Sequence, residues 1–213
     1  MYKHGKNFKL IDEKSVFIDD SVVFGDDVTI YENNRIERNT VVGDGCVLKQ
    51  NNYLKNCTLG KGVTVECSHA EDAEIGDNVS IGPYARLRPN AKILSGAKIG
   101  NFVEIKNAVV GKNSKVSHLA YVGDCELGEN CNIGCGAIFV NYDGRKKHKT
   151  LVGDNCFIGS NCNVIAPVTI ESDSYICAGT TVTEDVFKDD FIIGRPRQER
   201  KAGRAHCYLK EKK

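Results

Sequence analysis

An apolar residue recurs every sixth position along most of this chain, and a repeat that short leaves few folds open. Ile18, Phe24, Ile30, Ile36, Val42, Leu48 and Leu54 form one register. Ile75, Ile81, Leu87, Ile93, Ile99 and Ile105 form a second. Three more follow: Val110, Val116 and Val122; Leu127, Ile133 and Phe139; and Val152, Ile158, Val164, Ile170, Ile176 and Val182. Neither helical spacing nor long-range alternation fits a period of six. A small residue usually stands four positions after each anchor, as at Val79, Ala85, Ala97, Ser114, Cys131 and Cys156. The intervening residues are turn formers, in "IGDN", "VGKN", "LGEN" and "VGDN".

A six-residue unit made of a short strand and a corner cannot bury its own anchor, so it must stack on copies of itself. Three units per coil place each anchor over one in the coil before and fill a triangular interior with Ile, Val and Leu. The expected fold is all-β, a parallel β-helix of hexapeptides over residues 15–187. Residues 1–14 are expected as an N-terminal cap and 188–213 as a C-terminal arm, because open strand edges need cover. Breaks in register near 60–75, 105–110 and 122–127 predict altered corners. The general rule for parallel crossovers predicts a right-handed coil.

Composition narrows the function. Lys plus Arg number 29 and Asp plus Glu 28, which gives no overall field to draw the chain to nucleic acid or an acidic membrane. The N-terminal stretch lacks the apolar core of a signal peptide and no apolar run has membrane length, so a cytoplasmic protein is expected. The ten cysteines include no CxxC pair. Cys46, Cys131, Cys156 and Cys162 occupy the small-residue slot, which predicts reduced core thiols and no metal.

The strongest interruption is "FVNYDGRKKHKTLVGD", where Phe139 and Val152 lie thirteen apart and Arg145, Lys146, Lys147, His148 and Lys149 fill the gap. It predicts a protruding loop. Arg88 and Lys106 follow anchors where turn residues are usual, and eighteen residues separate them, one full coil. Two cations stacked on one corner call for an anion such as phosphate between them. His118 and Tyr121, also outside the repeat pattern, are candidates for a proton acceptor and a sugar contact.

The runs "IGPYARLRPNAKILSGAKIGNFVEIKNAVVGKNSKVSHLAYVGD", "NIGCGAIFVNYDGRKKHKT" and "AGTTVTEDV" resemble the acetyltransferase half of bifunctional N-acetylglucosamine-1-phosphate uridyltransferase. The resemblance covers roughly the last two thirds of the chain, irregular parts included. It implies a left-handed β-helix, a homotrimer with sites between subunits, and acetyl transfer from acetyl-CoA to the amine of glucosamine 1-phosphate without a metal. Carried over by position, it makes His118 the proton acceptor and Arg88, Lys106, Tyr121 and Asn132 the sugar-phosphate contacts, with Lys147 arriving from a neighbouring chain. It places Cys135, Asn141, Tyr142, Ser160, Ala178 and Arg195 along the CoA groove. Cys135 departs from the family's usual Ala, and "GRPRQ" differs around Arg195. No loop of the form LAAGxGTRM occurs, so this chain is not expected to transfer UMP by the family's usual route, and a separate uridyltransferase is a candidate partner. Alternatives are a hexapeptide acetyltransferase for another amino-sugar phosphate or a nucleotide-linked amino sugar, a non-catalytic β-helix subunit, and a γ-type carbonic anhydrase. That last fold holds zinc with three histidines, whereas His4, His69, His118, His148 and His206 are dispersed here.

Overall fold

The computed structural model describes residues 2–209. The chain winds through three parallel sheets of eleven, ten and nine strands, and non-consecutive strands pair throughout. It is a left-handed β-helix of about 10 turns. We call the sheet running from Lys9–Leu10 to Phe191–Ile192 face 1, the one from Phe17–Ile18 to Thr181–Val182 face 2, and the one from Val23–Phe24 to Val168–Ile170 face 3. The chain visits them in that order in every coil. Its left hand departs from the right-handed rule, which derives from the twist of longer strands; strands of two to four residues accumulate little of it.

Strand residues point alternately outward and inward, and the sixfold anchors are the inward ones. From Phe24 to Val182 they form one buried column, with Ile30, Ile99, Ile105, Ile158 and Phe139 fully enclosed. Truncating one of these isoleucines to Ala would cost about 2–5 kcal/mol. Cysteines in the small slot are buried and reduced. The thiols of Cys46 and Cys162 donate to carbonyls of the following coil, Gly60 O at 3.1 Å and Cys177 O at 3.2 Å, as the Ser114 hydroxyl does to Gly128 O at 2.7 Å. Cys and Ser are therefore interchangeable there. Burial pushes the Cys57 thiol up to about 11.

Where the count of six lapses, the coil has lost a corner residue. Leu59, Val65 and Ala70 are buried and continue the column five or six residues apart. Coils accordingly advance by 18 residues at Thr29↔Val47, 17 at Lys98↔Lys115 and 16 at Thr64↔Ser80. The charged insert lengthens one coil to 25, at Ile138↔Asn163. Corners turn through left-handed residues, commonly Asn, as at Asn78 (φ 56), Asn113 (φ 57) and Asn155 (φ 57), whose short polar side chain tolerates that region.

The ends of the column are covered. Lys3 bridges to Val23 and Lys9–Leu10 pairs with Thr29–Ile30, while Tyr2 and Phe8 set their rings 5.9 and 4.9 Å from that of Phe24. At the other end Phe191–Ile192 adds a last strand to Tyr175–Ile176, and the rings of Phe157, Tyr175 and Phe191 stack at 4.6 and 5.4 Å. Residues 195–209 run exposed along the outside, and 210–213 of the expected arm lie outside the described residues.

Candidate functional site

Face 2 carries the chemistry. Its pairing sets Arg86 opposite Glu104 and Leu87 opposite Ile105, so Arg88 and Lys106 fall on consecutive coils at the edge shared with face 3, as the eighteen-residue spacing predicts. Arg88 N donates to Ile105 O at 2.8 Å, and its Nη1 donates to Glu104 Oε1 at 2.8 Å. The charged loop leaves the helix at the same edge, between Ile138–Val140 and Thr150–Val152. Within a single chain its Lys147 already reaches Lys106. That ammonium, then partial desolvation, then the Lys147 and Arg88 charges hold Lys106 below the usual lysine range. An anion set among these three cations would relieve the repulsion.

Tyr121 occupies the middle of the face, opposite Glu104. Its ring lies over Gly123, where a Cβ would stand 2.3 Å from the phenol oxygen and would push the ring out of this position. Asn141, buried at the loop's base, places Nδ2 3.4 Å from the phenol oxygen and donates to Asp124 Oδ2. Asp124 Oδ1 also accepts from Asn107 at 2.5 Å.

His118 stands at the opposite edge, on the corner between faces 1 and 2. It ends the strand Lys115–His118, is exposed, and sets Nδ1 2.6 Å from Asn101 Oδ1. Tyr121 comes three positions after it, and Lys106 lies opposite Gly123, so the imidazole and the cations sit at the two edges of face 2 with one short strand between them. Asn132 is not on this face. It pairs with Lys115 and Phe157 on face 1, beyond the His118 corner.

Above His118 the same corner carries Cys135, Ser160 and Ala178, one per coil. Asn161 N donates to Cys135 O and Gly179 N to Ser160 O, both at 2.8 Å. Cys135 is exposed, unlike the slot cysteines. Arg195 closes the line by donating from Nη1 to Ala178 O at 3.0 Å. Asn141 and Tyr142 belong to the far edge of face 2 instead, with the exposed Tyr142 hydroxyl donating to Gly144 O at 2.8 Å. The six residues expected along the donor groove thus form two groups in one chain.

A recess of about 440 Å³ opens between the loop and face 3, lined by Lys92, Asn107, Asp124, Glu126, Lys147 and His148 among others. His118, Tyr121 and Arg88 take no part in it, so the deep space and the reactive side chains do not coincide. Three polar partners escaped the sequence reading: Asn101, Glu104 and Asp124. Each stands one 17-residue coil before a residue that reading singled out, His118, Tyr121 and Asn141 respectively. Subtracting the coil length from each candidate would have found them.

Residues 72–107 match the family described as Bacterial transferase hexapeptide (six repeats), and residues 149–184 match Hexapeptide repeat of succinyl-transferase. The chain is 45% identical over 194 residues to the Bifunctional protein GlmU of Clostridium beijerinckii, an alignment covering 91% of this chain and 43% of that protein. It is 47% identical over 200 residues to the GlmU of a Geobacillus species, covering 93% and 44%. The chain thus spans less than half the length of these relatives. Among solved structures, the Arabidopsis UDP-N-acetylglucosamine acyltransferase shares the fold, with a TM-score of 0.63 at 21% identity over 84% of this chain and 69% of that one. Among the described residues no helix is long and apolar enough to cross a membrane.

Proposed function

Since the chain belongs to the hexapeptide-repeat family of transferases, we propose that it moves acetyl from acetyl-CoA to the amine of glucosamine 1-phosphate. The product, N-acetylglucosamine 1-phosphate, would feed UDP-N-acetylglucosamine synthesis. The observation that carries this reading is the set of three cations, Arg88, Lys106 and Lys147, gathered at one edge of face 2, with the exposed His118 at the other edge and Tyr121 between them. A hexose phosphate would lie across the face: phosphate among the cations, ring along the phenol, amine toward the imidazole.

The chemistry follows from that placement. Only an unprotonated amine attacks a thioester, so the imidazole of His118 accepts a proton as the C–N bond forms. As the tetrahedral intermediate collapses, the C–S bond breaks and the proton passes to the departing thiolate, which leaves as CoA thiol. Backbone N–H groups on the rigid corner are suited to the oxyanion formed between these steps. Acetyl-CoA is a co-substrate, and the line of Cys135, Ser160, Ala178 and Arg195 is where we place it. Asn141 and Tyr142 of a second copy would complete that groove, which supports a homotrimer with shared sites. We place the reaction in the cytoplasm, within amino-sugar metabolism.

Release of free thiol from acetyl-CoA, measured with glucosamine 1-phosphate, galactosamine 1-phosphate and UDP-linked amino sugars in parallel, tests the assignment. Activity should be greatest with glucosamine 1-phosphate and fall about 10²–10⁴-fold in His118→Ala, with the sedimentation profile unchanged. Turnover restricted to a nucleotide-linked sugar would overturn the acceptor. Full activity in His118→Ala would overturn the base.

A further inference from the structure

Face 1 is built almost entirely of two-residue strands. Two of its neighbours, Lys98–Asn101 and Lys115–His118, run to four. The extra length has one consequence: besides Lys98↔Lys115 and Ile99↔Val116, the pairing now includes Asn101↔His118. The two side chains leave adjacent coils side by side, with Oδ1 of Asn101 2.6 Å from Nδ1 of His118. The backbone beneath them is locked, because a Cβ on Gly100 would come within 1.9 Å of Ser117 O, so only glycine allows the coils this close. The His118 ring has no other hydrogen bond or ion pair among the described residues.

We infer that Asn101 is the positioning residue that holds the His118 imidazole with its proton on Nδ1, leaving the Nε2 lone pair exposed to accept the substrate's proton. An amide oxygen on Nδ1 accepts and cannot donate, so the ring must carry hydrogen there. An unrestrained neutral imidazole favours the opposite tautomer, whose Nε2 already bears a proton and cannot act as a base at that atom. The partner that fixes one ring nitrogen decides what the other does. The ionisable side chains that the pairing sets around this corner are Cys135 on the next coil, Tyr84 on an earlier one, Glu104 and Tyr121 on face 2, and Lys98 and Lys115 along the two strands. None of them hydrogen-bonds the ring, so Asn101 acts alone. The inference deepens the reading of His118 as the base and rests on it.

The test has one spectroscopic and one kinetic arm. In protein labelled with ¹⁵N-histidine, with the His118 signals identified by their loss in His118→Gln, the neutral ring should show a protonated Nδ1 and a bare Nε2. Asn101→Leu should shift that ring toward Nε2–H. The same variant should lower kcat about 10- to 100-fold and leave KM for both substrates within about twofold. Asn101→Asp, which still accepts from Nδ1–H, should recover most of kcat and move the rising limb of the kcat/KM profile to higher pH. A wild-type ring protonated on Nε2 overturns the inference without touching the assignment of activity. So does Asn101→Leu with kcat intact. A chain that acetylates no amino sugar, yet shows Nδ1–H in the wild type and its loss in Asn101→Leu, supports the positioning while removing the proposed reaction.

Discussion

Two stretches of face 2 occupy the same slots and handle charge in opposite ways. In the early coils the outward residues at the edge toward face 3 alternate in sign, Glu37, Lys55, Glu71, one per coil. Lys55 meets Glu71 at 3.1 Å, Arg35 pairs with Glu37, and the Tyr53 hydroxyl donates to Glu37 at 3.0 Å. The contact with Glu71 holds the Lys55 ammonium above the usual lysine range. One coil later the alternation ends: Arg88 and Lys106 succeed each other, Lys147 is added from the loop, and Lys106 is displaced in the opposite direction. A parallel β-helix enforces a column of like neighbours 4.7–4.9 Å apart in any such protein. Sign alternation is how that column satisfies itself, and a break in alternation marks where a ligand completes it.

If that is right, the largest effect of breaking the comparison falls on Lys106. Lys106→Met should raise KM for the amino-sugar phosphate about 10- to 100-fold, leave KM for acetyl-CoA unchanged, and leave the melting temperature the same or higher, since a repulsion has been removed. A melting temperature that falls together with affinity would place Lys106 among the structural pairs. Next in size, inorganic phosphate well above its dissociation constant should raise the wild-type melting temperature by roughly 3–5 °C and do nothing for Lys106→Met/Lys147→Met. Equal stabilisation of both proteins would put the anion elsewhere.

The contrast also explains what could be read from sequence. The count of six carried the coils, the buried column and the stacking of Arg88 on Lys106, because each depends only on local spacing. Asn101 and Glu104 stayed hidden because their partners lie 17 residues on, and the coil length shifts between 16, 17 and 18 with each lost corner residue. Cys135, two positions past the anchor Ile133, lies outside the small-residue slot by count alone, and it is indeed exposed where the slot cysteines are buried. The course of the loop is harder still. It rests on His148 to Asp143 at 2.7 Å and on a close contact of Lys149 with Glu126, neither of which has a periodicity.

That loop offers a subtler perturbation, because it delivers the third cation. Asp143 accepts from the backbone N–H of Lys146 and Arg145 and faces His148, and these contacts lower its carboxyl to about 2. A depressed carboxyl contributes to the clasp at every pH above the ordinary carboxylate range and loses it only as pH falls through about 2. Asp143→Ala should therefore raise KM for the sugar phosphate about threefold across neutral pH and speed tryptic cleavage after Arg145 and Lys146. An unchanged cleavage rate would show that the loop is held by Lys149 and Glu126 instead.

The smallest expected change is the sharpest control. Lys55→Met removes a cation from the same edge of the same face as Lys106, three coils before it and five coils before the loop. Because the raised Lys55 contributes stability below the ordinary lysine range and loses it as pH rises through its elevated value, the variant should melt about 1–3 °C lower at neutral pH. The deficit should close above that range. KM for every substrate should stay at the wild-type value, since Glu71 already occupies Lys55 and leaves it no charge to offer a phosphate. Were Lys55→Met to weaken sugar-phosphate binding as Lys106→Met does, the whole face would be acting as one diffuse field, and neither the break in alternation nor the Arg88–Lys106–Lys147 cluster would define a site.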